Sequence, residues 1–251
     1  MAQPYPEEDH LKGNFAPIRM ESNIDDVIIE GEIPKEINGT YYRNGPDPKF
    51  SPRGGNSHWF GGDGMIHAFH IKDGKVSYLN RWMKTVKWLK EHEEQKALWS
   101  SGMDVMNNDP SVSNIETDGL ANTAIVSHAG KIFALEEAHA PFEFDPMTLD
   151  SIGSHTFDNK LEGPVTAHPK VDPITGELLF FAYMADGFFT DTIRFTAVSK
   201  EGQITKSEKI KAPFPSMVHD FFATENYIII PVFPLTGDFE RALNGQPPFA
   251  W

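Results

Sequence analysis

The sequence predicts an all-β fold, and three observations carry that prediction. From Asp26 onward, short runs of β-branched and aromatic residues alternate with Gly, Pro and Asp turns. Those runs pair into local hairpin-like units along most of the chain. No convincing crossover helix, such as parallel strands require, separates them. Locally connected hairpins fit a sandwich, a barrel or a β-propeller, and the number and likeness of the units favour the propeller, although no strict sequence repeat is visible.

Taken in order, residues 1–25 read as a polar, proline-containing lead-in, and residues 26–251 as the β domain. MIHAFHI, KDG and KVSYLNRWM form a hairpin closed at Asp73 and Gly74. Further units follow at TAIVSHAGKIFALEE, PFEFDPMTLDSIGSHTF, KVDPITGELLFFAYM, FTAVSKEGQITKSEKI and MVHDFFATENYIIIPVF. Residues 86–101, VKWLKEHEEQKALWSS, interrupt the pattern with mixed aromatic and charged positions, and helix and irregular chain fit them equally. The last stretch, GDFERALNGQPPFAW, has no recognisable strand or closing element. A closed propeller must join its last blade to its first, so sequence beyond Trp251 is expected.

Composition narrows the function classes. The 251 residues are 39% hydrophobic and 23% charged, which suits a folded globular chain. The formal charge of −14, from 22 Lys and Arg against 36 Asp and Glu, comes with no basic tract, which argues against a nucleic-acid partner. The absence of cysteine removes disulfides, thiolate ligands and thiol nucleophiles, and is consistent with a reducing compartment. The N-terminus lacks a basic region followed by an apolar one, and the longest apolar run, YIIIPVFP, is too short to span a bilayer. A cytoplasmic location is expected.

Two histidines in extended contexts are the leading candidates for chemistry. His168 precedes Pro169, which holds it away from helical backbone. His219 alternates with Met217 and Phe221 on one strand face, leaving Val218, Asp220 and Phe222 on the other. Propeller strands of this kind bring imidazoles from different units to a shared axis, where they can hold a metal. Taken alone, each histidine is better explained as a hydrogen-bonded core residue. His67 and His70, three apart in one strand, face opposite sides and form no local clamp, and His128 sits at a turn, where exposure is expected. Glu136 and Glu137 end the run KIFALEE. They are candidates to accept the second ring hydrogen of a metal-bound imidazole, or else mark a strand's exit into solvent. The glycines of FGGDGM lack the context of a nucleotide loop and are expected to permit a sharp backbone path. A calcium-dependent propeller hydrolase would need clustered acidic ligands, and the histidine-led strands disfavour it.

GEIPKEINGTYYRNGPDPKF, HWFGGDGMIHAFHIKDGKV, TAHPKVDPITGEL and MVHDFFATENYIIIP resemble the carotenoid cleavage oxygenases, a family that includes apocarotenoid-cleaving enzymes and lignostilbene dioxygenases. The resemblance runs from Ile29 to Trp251. It implies a seven-bladed β-propeller with about four blades represented here, and a helical cap of long loops. It implies a non-haem Fe(2+) centre held by four histidines, with His168 as the first, His219 as the second, and two more in the C-terminal half. It places Glu137 as the hydrogen-bond acceptor of a ligand histidine, and Phe60, Met103 and Glu136 along the substrate tunnel. The implied activity is a dioxygenase reaction: O2 splits a carbon–carbon double bond into two carbonyl products. Glu136 stands where stilbene-cleaving relatives carry a lysine, which favours a carotenoid or apocarotenoid over a stilbenoid substrate. A noncatalytic propeller fragment is the alternative for the chain by itself. An apolar substrate also allows peripheral contact with a membrane surface.

Overall fold

The computed structural model describes residues 3–54, 57–101, 107–244 and 246–251. The chain divides into two compact units. The first comprises residues 1–125, 132–134 and 142–153, and the second residues 126–131, 135–141 and 154–251.

Three four-stranded sheets succeed one another in sequence. The first orders its strands β1 (Ser22–Ile24), β4 (Lys75–Trp82), β3 (Gly64–Lys72) and β2 (Gly39–Pro46). The second runs β5 (Ala124–His128), β6 (Lys131–Leu135), β7 (Phe142–Phe144) and β8 (Ser151–Ser154). The third runs β12 (Ile204–Lys211), β11 (Thr192–Val198), β10 (Leu178–Ala182) and β9 (Lys170–Val171). Two short pairs follow, β13 (Phe222–Ala223) with β14 (Ile228–Ile229), and β15 (Thr236–Gly237) with β16 (Phe249–Ala250). The all-β expectation of blade-like sheets is met, with β1 drawn from the segment read as lead-in: Ser22 pairs with Asn80 and Ile24 with Tyr78.

Turn chemistry explains why the strands close where they do. Asp73 and Gly74 both take positive φ, 50° and 73°, and join β3 to β4 with Lys72 opposite Lys75. Ala129 and Gly130 repeat the device between β5 and β6. A second corner recurs in successive sheets. In DPMTLD the Asp145 carboxylate accepts the N–H groups of Met147 and Thr148, both at 2.8 Å. In DPITGE Asp172 accepts those of Ile174 and Thr175 at 2.7 and 2.9 Å. Leu149 and Gly176 occupy the same left-handed position. The repeat absent from the sequence as a whole is present in this six-residue corner.

Each unit has its own core. In the first, Ile66, Ala68, Leu79 and Met83 pack with Ile132, Ala134, Phe142 and Phe144. In the second, Phe181, Ile193, Phe195, Val218 and Phe221 form one cluster, and Phe157, Val165, Leu178, Phe180 and Val198 another. Within FGGDGM the glycines serve close approach. A Cβ on Gly61 would lie 1.8 Å from the Ser101 carbonyl oxygen, and one on Gly64 2.1 Å from that of Ala121.

The structure decides one open alternative and corrects two expectations. Within residues 86–101 a helix does form, α1 (Val86–Glu94), capped by the Thr85 side chain accepting the Trp88 N–H. His128 is buried, not exposed at its turn, because its Nε2 meets the Ser199 carbonyl at 2.7 Å. The C-terminal stretch contains β15, β16 and a short helix, α2 (Phe239–Leu243), whose cap Asp238 accepts two backbone N–H groups. No helix among the described residues is long and apolar enough to cross a membrane.

His67 gives the first unit a pH dependence. Its Nδ1 lies 2.7 Å from the Tyr78 hydroxyl, and Arg43 is its partner in β2. Burial, with Arg43 adding, lowers its pKa from 6.5 to about 4. Between those values the unfolded chain binds the proton and the folded chain does not, so stability falls as pH drops from 6.5 towards 4. The expected loss approaches about 3 kcal/mol at one full pH interval below the folded value. Urea unfolding at pH 7.5 and 4.5 should show it in the wild type and show a clearly smaller slope in His67→Gln; equal slopes would refute the assignment to His67.

Candidate metal centre

The two leading histidines lie in the second unit and meet. His168 Nε2 and His219 Nε2 are 2.9 Å apart, with ring centroids separated by 4.6 Å at an interplanar angle of 67°. Local folding delivers each ring. Val165, Thr166 and Ala167 are buried, with the Val165 N–H on the His139 carbonyl and the Thr166 N–H on that of Phe181. The His168 N–H then donates to Thr166 Oγ1 at 3.2 Å, and Pro169 carries the chain into β9. His219 is pinned between buried Val218 and buried Phe221, whose ring packs against Phe181 at 5.3 Å. Strict strand alternation therefore fails here: Val218 and Phe221, three apart, both enter the core, and the ring of His219 is left 60% exposed.

Glu137, just beyond β6, reaches the same place. Its Oε1 lies 3.2 Å from His219 Nδ1. A neutral His219 that donates Nδ1–H to this carboxylate turns the Nε2 lone pair toward His168. Burial raises the Glu137 pKa, with Glu136 adding to the effect and His219 opposing it. The His168 pKa is lowered, first by burial and then by His219, which favours the neutral ring with its one free nitrogen lone pair.

Two imidazoles converging through Nε2 either share one hydrogen or share a cation. At a metal–nitrogen length of about 2.0–2.1 Å, two ligands at right angles on one ion have nitrogens about 3 Å apart. The observed separation fits, and so does the carboxylate behind one ring. Imidazole donors suit iron, zinc, copper or nickel. Among the described residues no group of three or more His, Cys, Asp or Glu able to hold a metal is present, so His168 and His219 stand as a pair.

The other expected residues fall differently. Glu136 pairs with His139 Nδ1, a histidine without distinguishing sequence context. Phe60 belongs to the first unit, where it is exposed and its carbonyl accepts the Asn122 side-chain N–H at 2.7 Å. Met103 lies outside the described residues. The sequence does not single out three further residues of the second unit. Tyr183 packs on the core of the second unit, and burial, with Glu137 and Glu136 adding, raises its hydroxyl pKa. Lys170 and Asp220 form an ion pair at 2.7 Å beside the two ligand candidates.

Comparison with known proteins bears on this geometry. The model of the retinal pigment epithelial membrane protein family matches residues 15–251. Isoeugenol monooxygenase of Pseudomonas nitroreducens is 39% identical over 246 residues, covering 97% of this chain and 51% of that protein. Carotenoid cleavage oxygenase 1 of Neurospora crassa is 36% identical over 248 residues, 98% of this chain and 47% of that protein. The crystal structure of Pseudomonas brassicacearum lignostilbene dioxygenase superposes with a TM-score of 0.94 at 38% identity, covering 100% of this chain and 52% of that one. The chain thus spans about half the length of the relatives it matches. With the family model matched over nearly all of its length, the chain belongs to the retinal pigment epithelial membrane protein family, that of the carotenoid cleavage oxygenases.

Proposed function

We propose that the whole protein is an oxygenase that splits a carbon–carbon double bond with O2, on ferrous iron held in part by His168 and His219. The observation that carries this reading is the 2.9 Å approach of the two Nε2 atoms, with Glu137 behind His219. Bound ferrous iron supplies a redox-active centre for O2. The protein's own part is positional. His168 and His219 present their ring nitrogens from segments fixed by buried neighbours, and Glu137 sets the tautomer and ring angle of His219. Glu137→Gln is expected to weaken iron binding by about tenfold, measured by anaerobic chelator competition, because an amide orients the ring without the carboxylate's charge. Unchanged affinity would remove Glu137 from the centre.

The substrate in this reading is a conjugated, largely apolar alkene, carotenoid or apocarotenoid, and each product carbonyl forms at one carbon of the broken bond. Glu136 supports that class, since a carboxylate cannot stabilise a phenolate. The relatives named for isoeugenol and lignostilbene favour a second reading, a phenolic alkene. There the Glu136 carboxylate accepts the O–H of the neutral phenol. The iron-loaded protein should consume O2 and release two carbonyl fragments from a member of one class, identified by mass spectrometry. Iron binding without cleavage of an apocarotenal, a hydroxystilbene or a propenylphenol would overturn the proposal.

A further inference from the structure

His219 has a carboxylate behind its ring, whereas among the described residues the ring of His168 has its contact with His219 and no carboxylate behind it. What then sets the position of His168 relative to its partner? The residues next to the two histidines supply an answer. Lys170 Nζ donates to Asp220 Oδ1 at 2.7 Å, and so joins the segment carrying His168 to the segment carrying His219.

Both ends of this link are anchored. Lys170 opens β9 and pairs with Leu179 of β10, which fixes its backbone in the third sheet. Its ammonium also lies 5.4 Å from the centre of the Phe221 ring, a cation–π distance. On the other side, Asp220 Oδ1 accepts the Phe221 N–H at 2.8 Å, and Phe221 is buried in the core of the unit. The carboxylate is therefore oriented before the lysine reaches it. The geometry forms a closed loop: His168 to Lys170 along one segment, across the ion pair to Asp220, back to His219, and through the paired Nε2 atoms to His168.

We propose that Lys170 and Asp220 are positioning residues for the metal centre, their ion pair holding the segments of His168 and His219 at the spacing two ligands of one ion require. The inference rests on the reading of those histidines as ligands. Lys170 and Asp220 are 36% and 51% exposed, so their pair contributes little to folding. Its effect falls on the alignment of the two segments that carry the imidazoles.

The test is Fe(II) affinity of the full-length protein, by anaerobic competition with a chromogenic chelator, beside its melting temperature. Lys170→Met and Asp220→Asn are each expected to weaken Fe(II) binding about threefold to tenfold, between the effect of an exposed ion pair and that of a residue bonded to a ligand. The double variant should lose no more than either single one, Lys170→Arg should stay within about twofold of wild type, and melting temperatures should stay within a few degrees. Wild-type affinity in both single variants, or losses that add in the double variant, would overturn the proposal. A His168→Ala/His219→Ala control separates the two levels. If it keeps wild-type Fe(II) affinity, the ligand reading fails and the positioning role with it; if it loses iron while Lys170→Met and Asp220→Asn do not, only the positioning role fails.

Discussion

Replacing His168 and His219 together with alanine is expected to strip the full-length protein of iron and of oxygen-dependent alkene cleavage while leaving it folded. The two parts of that expectation have different causes. Removing both imidazoles deletes two donors whose nitrogens stand 2.9 Å apart, so the loss should exceed the tenfold to hundredfold typical of residues that merely orient ligands, at about a thousandfold or more in iron affinity. The fold should tolerate the change because the ring of His219 is 60% exposed and the neighbours that hold the segment, Val218 and Phe221, remain. A stability change of about 1 kcal/mol or less is expected. Iron per chain after anaerobic reconstitution, read beside thermal unfolding, tests both. Full occupancy in a folded double variant would mean that the two histidines share a hydrogen bond and nothing more. The single variants should differ in kind: His219→Ala also leaves Glu137 without its partner, so its carboxyl is left in a partly buried site with no imidazole opposing the effect of burial.

Legibility in the sequence followed the range of the interaction. The β3–β4 turn was readable because Asp73 and Gly74 carry their own conformational preference, and the strands because their apolar pattern is local. His168 stands out through Pro169 and through the family motif, and Glu137 through its place at the end of KIFALEE, where only the motif favours a functional reading over a solvent-facing one. Lys170, Asp220 and Tyr183 do not stand out, since what distinguishes them is a neighbour supplied by a distant segment. His128 departs from its sequence expectation for the same reason: its local turn points to solvent, and a carbonyl 71 residues away covers it. The alternation read around His219 broke down because Val218 and Phe221 must both reach the core from a segment that is not a regular strand. Helix α1 was ambiguous because its buried face is made of Lys87, Trp88 and Glu91, so the apolar periodicity that normally reveals a helix is masked by charge.

That charged face yields the largest expected effect on stability. Lys87 Nζ is buried and donates to Asp63 Oδ1 at 2.8 Å and to Glu91 Oε2 at 2.7 Å. The network continues through backbone: Glu91 Oε1 accepts the N–H groups of Leu98 and Trp99, and Asp63 Oδ2 that of Lys49. Asp63 belongs to FGGDGM, so the triad ties the glycine-rich stretch to α1. Burial works against all three charges. The pKa of Lys87 is nonetheless raised, because Asp63 and Glu91 together outweigh its desolvation, whereas that of Glu91 is raised chiefly by desolvation, against the pull of Lys87. Lys87→Met keeps the apolar stem and removes the ammonium, leaving two buried carboxylates facing each other; a loss of about 3–5 kcal/mol is expected. The variant should recover part of this as pH falls, because carboxyls without a counter-charge titrate above their unfolded values and the folded state then binds more protons than the unfolded one. Glu91→Gln should cost less than Glu91→Leu, because glutamine still offers an oxygen to the Leu98 and Trp99 N–H groups and leucine orphans them at about 1–3 kcal/mol each. Denaturant unfolding of the three variants at pH 5 and pH 8 checks the ordering. A Lys87→Met protein as stable as wild type at pH 8 would show that the triad contributes no more than an exposed ion pair.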